Sequence, residues 1–276
     1  MRAKQQRKES SIYWWPAERK LIFLKEKATP NFWDRHWQAE DWRKRITRSR
    51  NSRYWSSILK KYLPNKNSRI LDGGCGYGHI VDAMDYWGYQ AIGIDFAPET
   101  VAKIKEVMPN LNVHYGDVRA LNYENDYFDG YWSLGFIEHF WEGYDDILKE
   151  MKRVLKVGGY AFVTFPCISR MDQLKIIFSR YKEFTGLDMP DNFYQFGLDV
   201  STVRKDFERA GFQCLRIRRR DGWEGLKRIW PVSRRIHVAL SRLSEKSRII
   251  KLFTEGISFL IAPLCGHGAL LVSRKC

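Results

Sequence analysis

Paired cysteines are missing from this sequence. Its five cysteines, Cys75, Cys167, Cys214, Cys265 and Cys276, are scattered over 276 residues with no CxxC pair. That argues against a disulfide scaffold and a cysteine-built zinc site, and it fits a reducing cytosol. Long apolar runs are missing too. The longest stretch without Asp, Glu, Lys or Arg, Gly256–Ser273, is interrupted by Pro263, Gly266 and Gly268, whereas a membrane-spanning helix needs about 20 predominantly apolar residues. The opening MRAKQQRKES is basic and no apolar core follows it, so no secretory signal is expected. No Gly-Lys-Ser/Thr occurs in a Gly-rich turn, which excludes a P-loop. Repeats and low-complexity tracts are absent as well.

What is present is ordinary for a globular chain. Hydrophobic residues make up 44% and charged residues 29%, which rules out global disorder. The length allows one large domain, or one with a sizeable appendage. The net charge is +15, and its distribution says more than its sum. Residues 1–66 carry a net +12, residues 67–165 a net −7, and residues 166–276 a net +10. Two basic flanks around an acidic middle suggest an anionic partner: a phosphate-bearing substrate, a membrane surface or nucleic acid. The plainer reading is a solvated basic surface.

The middle alternates strands with helices. Arg69–Asp72 reads as a strand that runs straight into glycines. Further strands are expected at Ala91–Asp95, Asn112–Tyr115, Tyr127–Ser133 and Tyr160–Phe165. Helices lie between them, the strongest carrying Ile147, Leu148, Met151, Val154 and Leu155 and ended by Gly158-Gly159. This alternation means a parallel α/β sheet. Upstream, residues 31–63 read as one or two helices. Downstream, Ser201–Ala210 reads as a helix, and Cys214–Arg218 and Ala269–Ser273 as the last two strands.

The sharpest signal is Ile70-Leu71-Asp72-Gly73-Gly74-Cys75-Gly76-Tyr77-Gly78. Glycine tolerates positive φ and lets a ligand approach the backbone, and the helix beyond offers free N–H groups. The dinucleotide pattern G-x-G-x-x-G fails, because His79 stands at its last glycine. Acids then close successive strands: Asp72, Asp95 and Asp117. In a doubly wound sheet these positions share the carboxyl edge, where ligands bind, and an acid some 20 residues past the glycines can hold ribose hydroxyls. A single such Asp is as well explained as a turn-former. Three in register with a Gly-rich turn are not.

Taken in order, LDGGCGYG, GIDFAPE, GDV, FDGYWSLGFIEHF and LKEMKRVLKVGGYAFVTFP resemble the motifs of class I S-adenosylmethionine-dependent methyltransferases. They are most similar to the small-molecule, ubiquinone-type and glycan-type subgroup. The resemblance covers residues 68–166 specifically. It implies a Rossmann-like α/β fold with a seven-stranded sheet in the order 3-2-1-4-5-7-6, N-terminal helices and a helical insertion before the last strand. It also implies S-adenosylmethionine as cofactor. Asp72, Gly74, Gly76 and Gly78 would hold its methionine part, and Asp95 its ribose hydroxyls. Phe96 would lie against the adenine, with Asp117 on the adenine amino group, Val118 beside the ring, and Ser133 and Leu134 as the floor. Gly73 departs from the small apolar or acidic residue usual at its position.

Methyl transfer asks mainly for in-line positioning, and a general base only when the acceptor holds a proton. Glu138-His139 stands where this subgroup places a Glu-His pair, and His139 is the candidate base, with a pKa of about 6.5 when unperturbed. A packing pair at a helix start is the alternative. Some ubiquinone-type relatives bind magnesium through an extra Glu three residues earlier. Here that position is Gly135, so no metal site is expected. Base-flipping amino-methylases carry Asn/Asp-Pro-Pro-Tyr/Phe after strand four. Ser133-Leu134-Gly135-Phe136 stands there instead. Cys167 follows strand five as in one RNA cytosine-methylating family, but the companion motif is missing.

Four segments are therefore expected: a basic aromatic arm with helices (1–66), the methyltransferase core (67–221), a helical insertion (222–265) and the final strand (266–276). Trp33 and Trp37 share a helix face, as lid or as packing. In the insertion, Ile236, Ala239, Leu240, Leu243, Ile250 and Phe253 follow helical spacing among many cations, ahead of apolar Ile257–Leu264. That pattern suits either a cap on the acceptor pocket or an element lying on an anionic membrane surface. The expected function is methylation, at oxygen, of a small molecule, lipid or lipid-linked glycan. The expected place is the cytoplasm, peripheral at the inner membrane face if the insertion docks. RNA methylation and non-catalytic cofactor binding are the alternatives.

Overall fold

The computed structural model describes residues 11–39, 41–229 and 247–276. Along the chain run β1 (Ser11–Trp15), β2 (Lys20–Leu24), α1 (Pro30–Gln38), α2 (Trp42–Arg50), α3 (Arg53–Tyr62), β3 (Arg69–Gly73), α4 (His79–Tyr86) and β4 (Gln90–Asp95). Next come α5 (Pro98–Val107), β5 (Val113–Tyr115), β6 (Phe128–Leu134), α6 (Asp145–Val154), β7 (Leu155–Pro166), α7 (Arg170–Ile177), β8 (Lys182–Glu183) and β9 (Phe193–Gly197). The chain closes with α8 (Val200–Arg209), β10 (Phe212–Arg220), α9 (Gly222–Ile229), α10 (Arg248–Cys265) and β11 (Gly268–Lys275). Two compact units share the chain. One comprises the described residues of 1–28, 166–200 and 219–269, the other 29–165, 201–218 and 270–276.

The larger unit is built on a seven-stranded sheet in the order β5-β4-β3-β6-β7-β11-β10. Numbered among these seven strands, that is the expected 3-2-1-4-5-7-6. Neighbours from β5 through β7 are parallel. Parallel strands covered on both faces read as continuous apolar runs, and Ile70, Leu71, Asp72 and Gly73 of β3 are all buried. Trp132 and Phe162, both fully buried, join the core that α3, α4 and α5 share with the sheet. Helix α6 packs Ile147, Leu148, Met151 and Val154 inward. Asp145 and Asp146 sit in its first turn and Lys152 and Arg153 in its last, as the helix dipole favours.

Two local expectations change. Residues 31–63 form three helices, not one or two, because each start has its own cap. The side chains of Thr29, Asp41 and Ser52 accept from the amides of Phe32, Lys44 and Trp55. The helix before Gly158-Gly159 stops earlier, at Val154. Leu155 is extended (φ −76, ψ 139) and opens β7 opposite Phe128. An apolar residue at that point satisfies the helical period and the strand equally. Gly158, at φ +81, then lies within β7, where the ladder with β6 shifts register.

Helix α5 has no side-chain cap of its own, since Ala97 stands at its N-cap. Asp34 of α1 supplies one from a distance. Its Oδ1 accepts from both the backbone N–H and the hydroxyl of Thr100, each at 2.7 Å. Arg50 of α2 forks onto Asp82 of α4 at 2.8 and 2.7 Å. The N-terminal helices are thus tied to the sheet unit by buried or part-buried polar bonds.

The smaller unit holds a four-stranded sheet, β8-β1-β2-β9. The hairpin β1-β2 lies in the stretch read as a basic aromatic arm, and β9 pairs antiparallel with β2. In the same unit α9 and α10 approach closely. A Cβ on Gly222 or Gly225 would strike Ser258 O or Cys265 O of α10. Residues 230–246, with Arg234, Arg235, Ile236, Ala239, Leu240, Arg242, Leu243 and Lys246 of the expected basic helix, lie outside the described residues. Among the described residues, no helix is long and apolar enough to cross a membrane.

The distant cap is testable. Asp34→Ala leaves the Thr100 amide without its charged acceptor and is expected to lower stability by about 1–3 kcal/mol in urea unfolding. Asp34→Asn, which keeps an acceptor, should lose less. Wild-type stability for Asp34→Ala would remove the tether from the account.

Candidate functional site

The glycine turn leaves β3 with three residues in the left-handed region: Gly74 at φ +78, Gly76 at φ +51 and Gly78 at φ +67. Its amides face the end of β4. Gly74 N and Cys75 N donate to Ile94 O at 2.8 and 3.1 Å. Gly76 N donates to Asp95 Oδ2 at 2.7 Å, and Ala97 N to Asp95 Oδ1 at 2.9 Å. Burial raises the Asp95 carboxyl above its usual range, and the N–H groups of Ala97, Gly76 and Phe96 pull the other way. Asp95 therefore staples the turn to the start of α5.

Each glycine has its own reason. A Cβ on Gly78 would meet Leu111 and Val113, so this residue is small for core packing. A Cβ on Gly73 would lie 2.3 Å from Tyr131 Oη, which explains the departure from the family pattern: the tyrosine hydroxyl takes that space. Rings cover the other two. Phe136 lies against Gly74 and Trp37 against Gly76, each within 2.5 Å of an added Cβ.

Beside the turn opens a narrow cleft, lined by Gly74, Asp95, Phe96, Gly116, Asp117 and Val118 together with Arg119, Phe136 and Phe140. Five of the expected cofactor residues thus meet in one place. Arg119, Phe136 and Phe140 were not foreseen. Arg119 forks onto Asp117, with Nη2–Oδ2 at 2.6 Å and Nε–Oδ1 at 3.0 Å, and holds that carboxyl below the usual range. The Arg two residues after an Asp was the available sign of this pair.

Asp72, in β3, is buried and has no hydrogen-bond partner among the described residues. Burial, and then the Asp95 charge, push its pKa up to about 8. A buried carboxyl in that state calls for a donor or a cation. Ser133 is fully buried in β6 and its Oγ has no partner. Leu134 ends that strand, half-buried. Neither lines the cleft.

Glu138 and His139 follow in a single 3-10 turn, Ile137–His139. Glu138 is buried, its Oε2 has no partner, and burial raises its pKa to about 8. Its Oε1 stands 3.9 Å from His139 Nε2, beyond hydrogen-bond reach. The His139 ring meets Trp33 edge-on at 5.0 Å, and Trp33 stacks on Trp37 at 6.0 Å. Helix α1 thereby places two indoles across the residues that follow β3 and β6.

The chain is similar to known methyltransferases. Residues 71–163 match a family profile described as "Methyltransferase domain". A Mycolicibacterium smegmatis protein named "probable S-adenosylmethionine-dependent methyltransferase" is 28% identical over 145 residues, 52% of this chain and 51% of that protein. A demethylmenaquinone methyltransferase of Chlorobaculum parvum is 28% identical over 134 residues, 46% of this chain and 55% of that one. The chain thus spans about half the length of these two relatives. A Staphylococcus aureus demethylmenaquinone methyltransferase is 29% identical over 203 residues, 66% of this chain and 78% of that enzyme. Among solved structures, a TehB-like methyltransferase of Corynebacterium glutamicum superposes with a TM-score of 0.52 at 17% identity, covering 90% of this chain and 100% of that one. One from Mesorhizobium loti gives 0.52 at 16% identity, covering 82% and 99%. These two likenesses establish the fold.

The buried acids predict a pH dependence. Asp72 and Glu138 titrate near 4 in an unfolded chain and near 8 here. The folded state holds their protons more tightly, so their contribution is fully present below about pH 4 and is lost as pH rises towards 8. Asp72→Asn and Glu138→Gln should leave Tm unchanged at pH 4 and raise it at pH 8.5. One pKa unit is worth about 1.4 kcal/mol, and each kcal/mol moves Tm by about 2–4 °C in a chain of this size. An equal offset at both pH values would contradict the assignment.

Proposed function

From the premise that residues 71–163 are a class I S-adenosylmethionine-dependent methyltransferase domain, we propose that the chain methylates an oxygen of a small molecule, lipid or lipid-linked glycan. The observation that carries the reading is the left-handed glycine turn stapled to Asp95, with the partnerless carboxyl of Asp72 beside it. These groups fit S-adenosylmethionine by donor chemistry. Its ammonium matches Asp72, its carboxylate the N–H groups of the turn at the start of α4, and its ribose hydroxyls Asp95. Phe96 and Val118 offer apolar faces to the adenine, and Asp117 an acceptor for its amino group.

The cofactor supplies a methyl group on a sulfonium, a good leaving group. What is left to the chain is to bind, orient and exclude water. An acceptor hydroxyl must also lose its proton, and His139 is the group proposed to take it. The Glu-His pair after β6 supports oxygen as the target. The relatives named demethylmenaquinone methyltransferase favour a small-molecule acceptor over nucleic acid.

Calorimetry with S-adenosylhomocysteine tests the cofactor site. Binding is expected, and Asp95→Ala should weaken it by about 30-fold or more, the loss of two hydrogen bonds to a charged group. No binding by folded protein, or unchanged affinity in the variant, would sink the reading. His139→Ala should keep that affinity and lower kcat about 10²–10⁴-fold once an acceptor is in hand. A pH-rate profile unmoved by the substitution would remove His139 as base.

A further inference from the structure

We propose that the outward face of α10, with the exposed end of α7, docks the chain on the surface of an anionic lipid membrane. The inference goes beyond methyl transfer and does not depend on it. Helix α10 has two unlike faces. Ser258, Ala262 and Cys265 lie where α9 approaches, with Trp223 N donating to Ser258 Oγ at 3.1 Å. Leu252, Phe253, Gly256, Phe259, Leu260, Pro263 and Leu264 follow at i, i+1, i+4, i+7, i+8, i+11 and i+12, the repeat of a single helical stripe. All seven are exposed, Phe253 at 62% and Leu260 at 73%. From Leu252 to Cys265 the one charged residue is Glu255.

Helix α7 belongs to the same unit and packs beside α10. It ends on Leu174 and Ile177, followed by Phe178, and these are exposed as well, Ile177 at 71%. Single exposed apolar residues are normal. A run of large ones on two adjoining helices marks an interaction surface.

Charge selects the occupant. Arg170 at the start of α7, Arg180 past its end and Lys182 in β8 are exposed, as are the acids Glu183, Asp188 and Glu255, and residues 166–276 as a whole carry a net +10. The sequence from Lys227 to Lys251, which leads into α10, holds eight Lys and Arg against Glu245 alone. Each Lys or Arg near an anionic leaflet adds about 1 kcal/mol of attraction. An apolar stripe in a stretch of sequence this basic suits the headgroup boundary, where one helix face sinks a few ångströms. At 18 residues, with Pro263 inside, α10 is about 27 Å long and lies in the surface without crossing it.

Co-sedimentation of the full chain with vesicles tests this. The protein should pellet with phosphatidylcholine–phosphatidylglycerol vesicles, bind phosphatidylcholine alone weakly, and be released by salt. The combined substitutions Phe253→Ser, Leu260→Ser and Leu264→Ser should weaken partitioning about tenfold or more, with far-UV circular dichroism and S-adenosylhomocysteine affinity unchanged. Absence of binding to either vesicle, or equal binding to both, overturns the proposal. So does wild-type partitioning by the variant, or self-association that the variant abolishes in protein that binds no vesicle.

Discussion

The carboxylate of Asp95 holds the functional edge of the sheet together. One oxygen accepts from Gly76 and the other from Ala97. The first bond fixes the path of the chain out of β3, and the second fixes the start of α5 after β4. A carboxylate can do this because it offers several acceptor sites in a small volume. The position is costly, since burial favours the protonated form, and the surrounding N–H groups offset that cost. Together with the bonds of Gly74 N and Cys75 N to Ile94 O, this side chain ties the glycine turn to the end of β4.

Asp95 is one of several buried carboxyls near this edge, and they differ in how far they are satisfied. Asp34 is engaged by two donors from Thr100. Asp95 is engaged by backbone amides. Asp72 has none, and the Asp95 charge adds to its cost. Unmet demand for positive charge or hydrogen-bond donors is therefore left at Asp72, beside the glycine turn, as it is at Glu138 after β6. An enclosed acid without a partner is a poor way to stabilise a fold. It is a reasonable way to reserve a place for a cationic ligand. The rings of Phe136 and Trp37 rest on the turn itself, so glycine at 74 and 76 serves both the backbone conformation and the close approach of aromatic side chains.

Much of this edge was legible because its signals are local. Asp72, Asp95 and Asp117 each end or follow a strand, and glycines follow the first of them. Strand and helix alternation gave a parallel α/β sheet, and the family resemblance implied its strand order. What escaped was non-local or ambiguous. The cap on α5 comes from Asp34, 66 residues away, and no local pattern announces it. The hairpin β1-β2 is completed by β9, far along the chain, and its strands SIYWW and KLIFL lack the polar alternation that marks a half-buried strand. Leu155 fits two periods at once, and only pairing with Phe128 decides between them. The ion pair of Asp117 with Arg119 shows how a residue singled out for a ligand is also held by its neighbour.

The central claim is that the glycine turn, Asp95 and the Asp117 loop act together as one cofactor cradle. Amide hydrogen exchange with and without S-adenosylhomocysteine tests it most directly, because it reads each of these backbone segments separately. The account predicts added protection in residues 73–79, 95–98 and 116–119, with α8 unchanged. Protection confined to other segments, or none at saturating ligand, would contradict it.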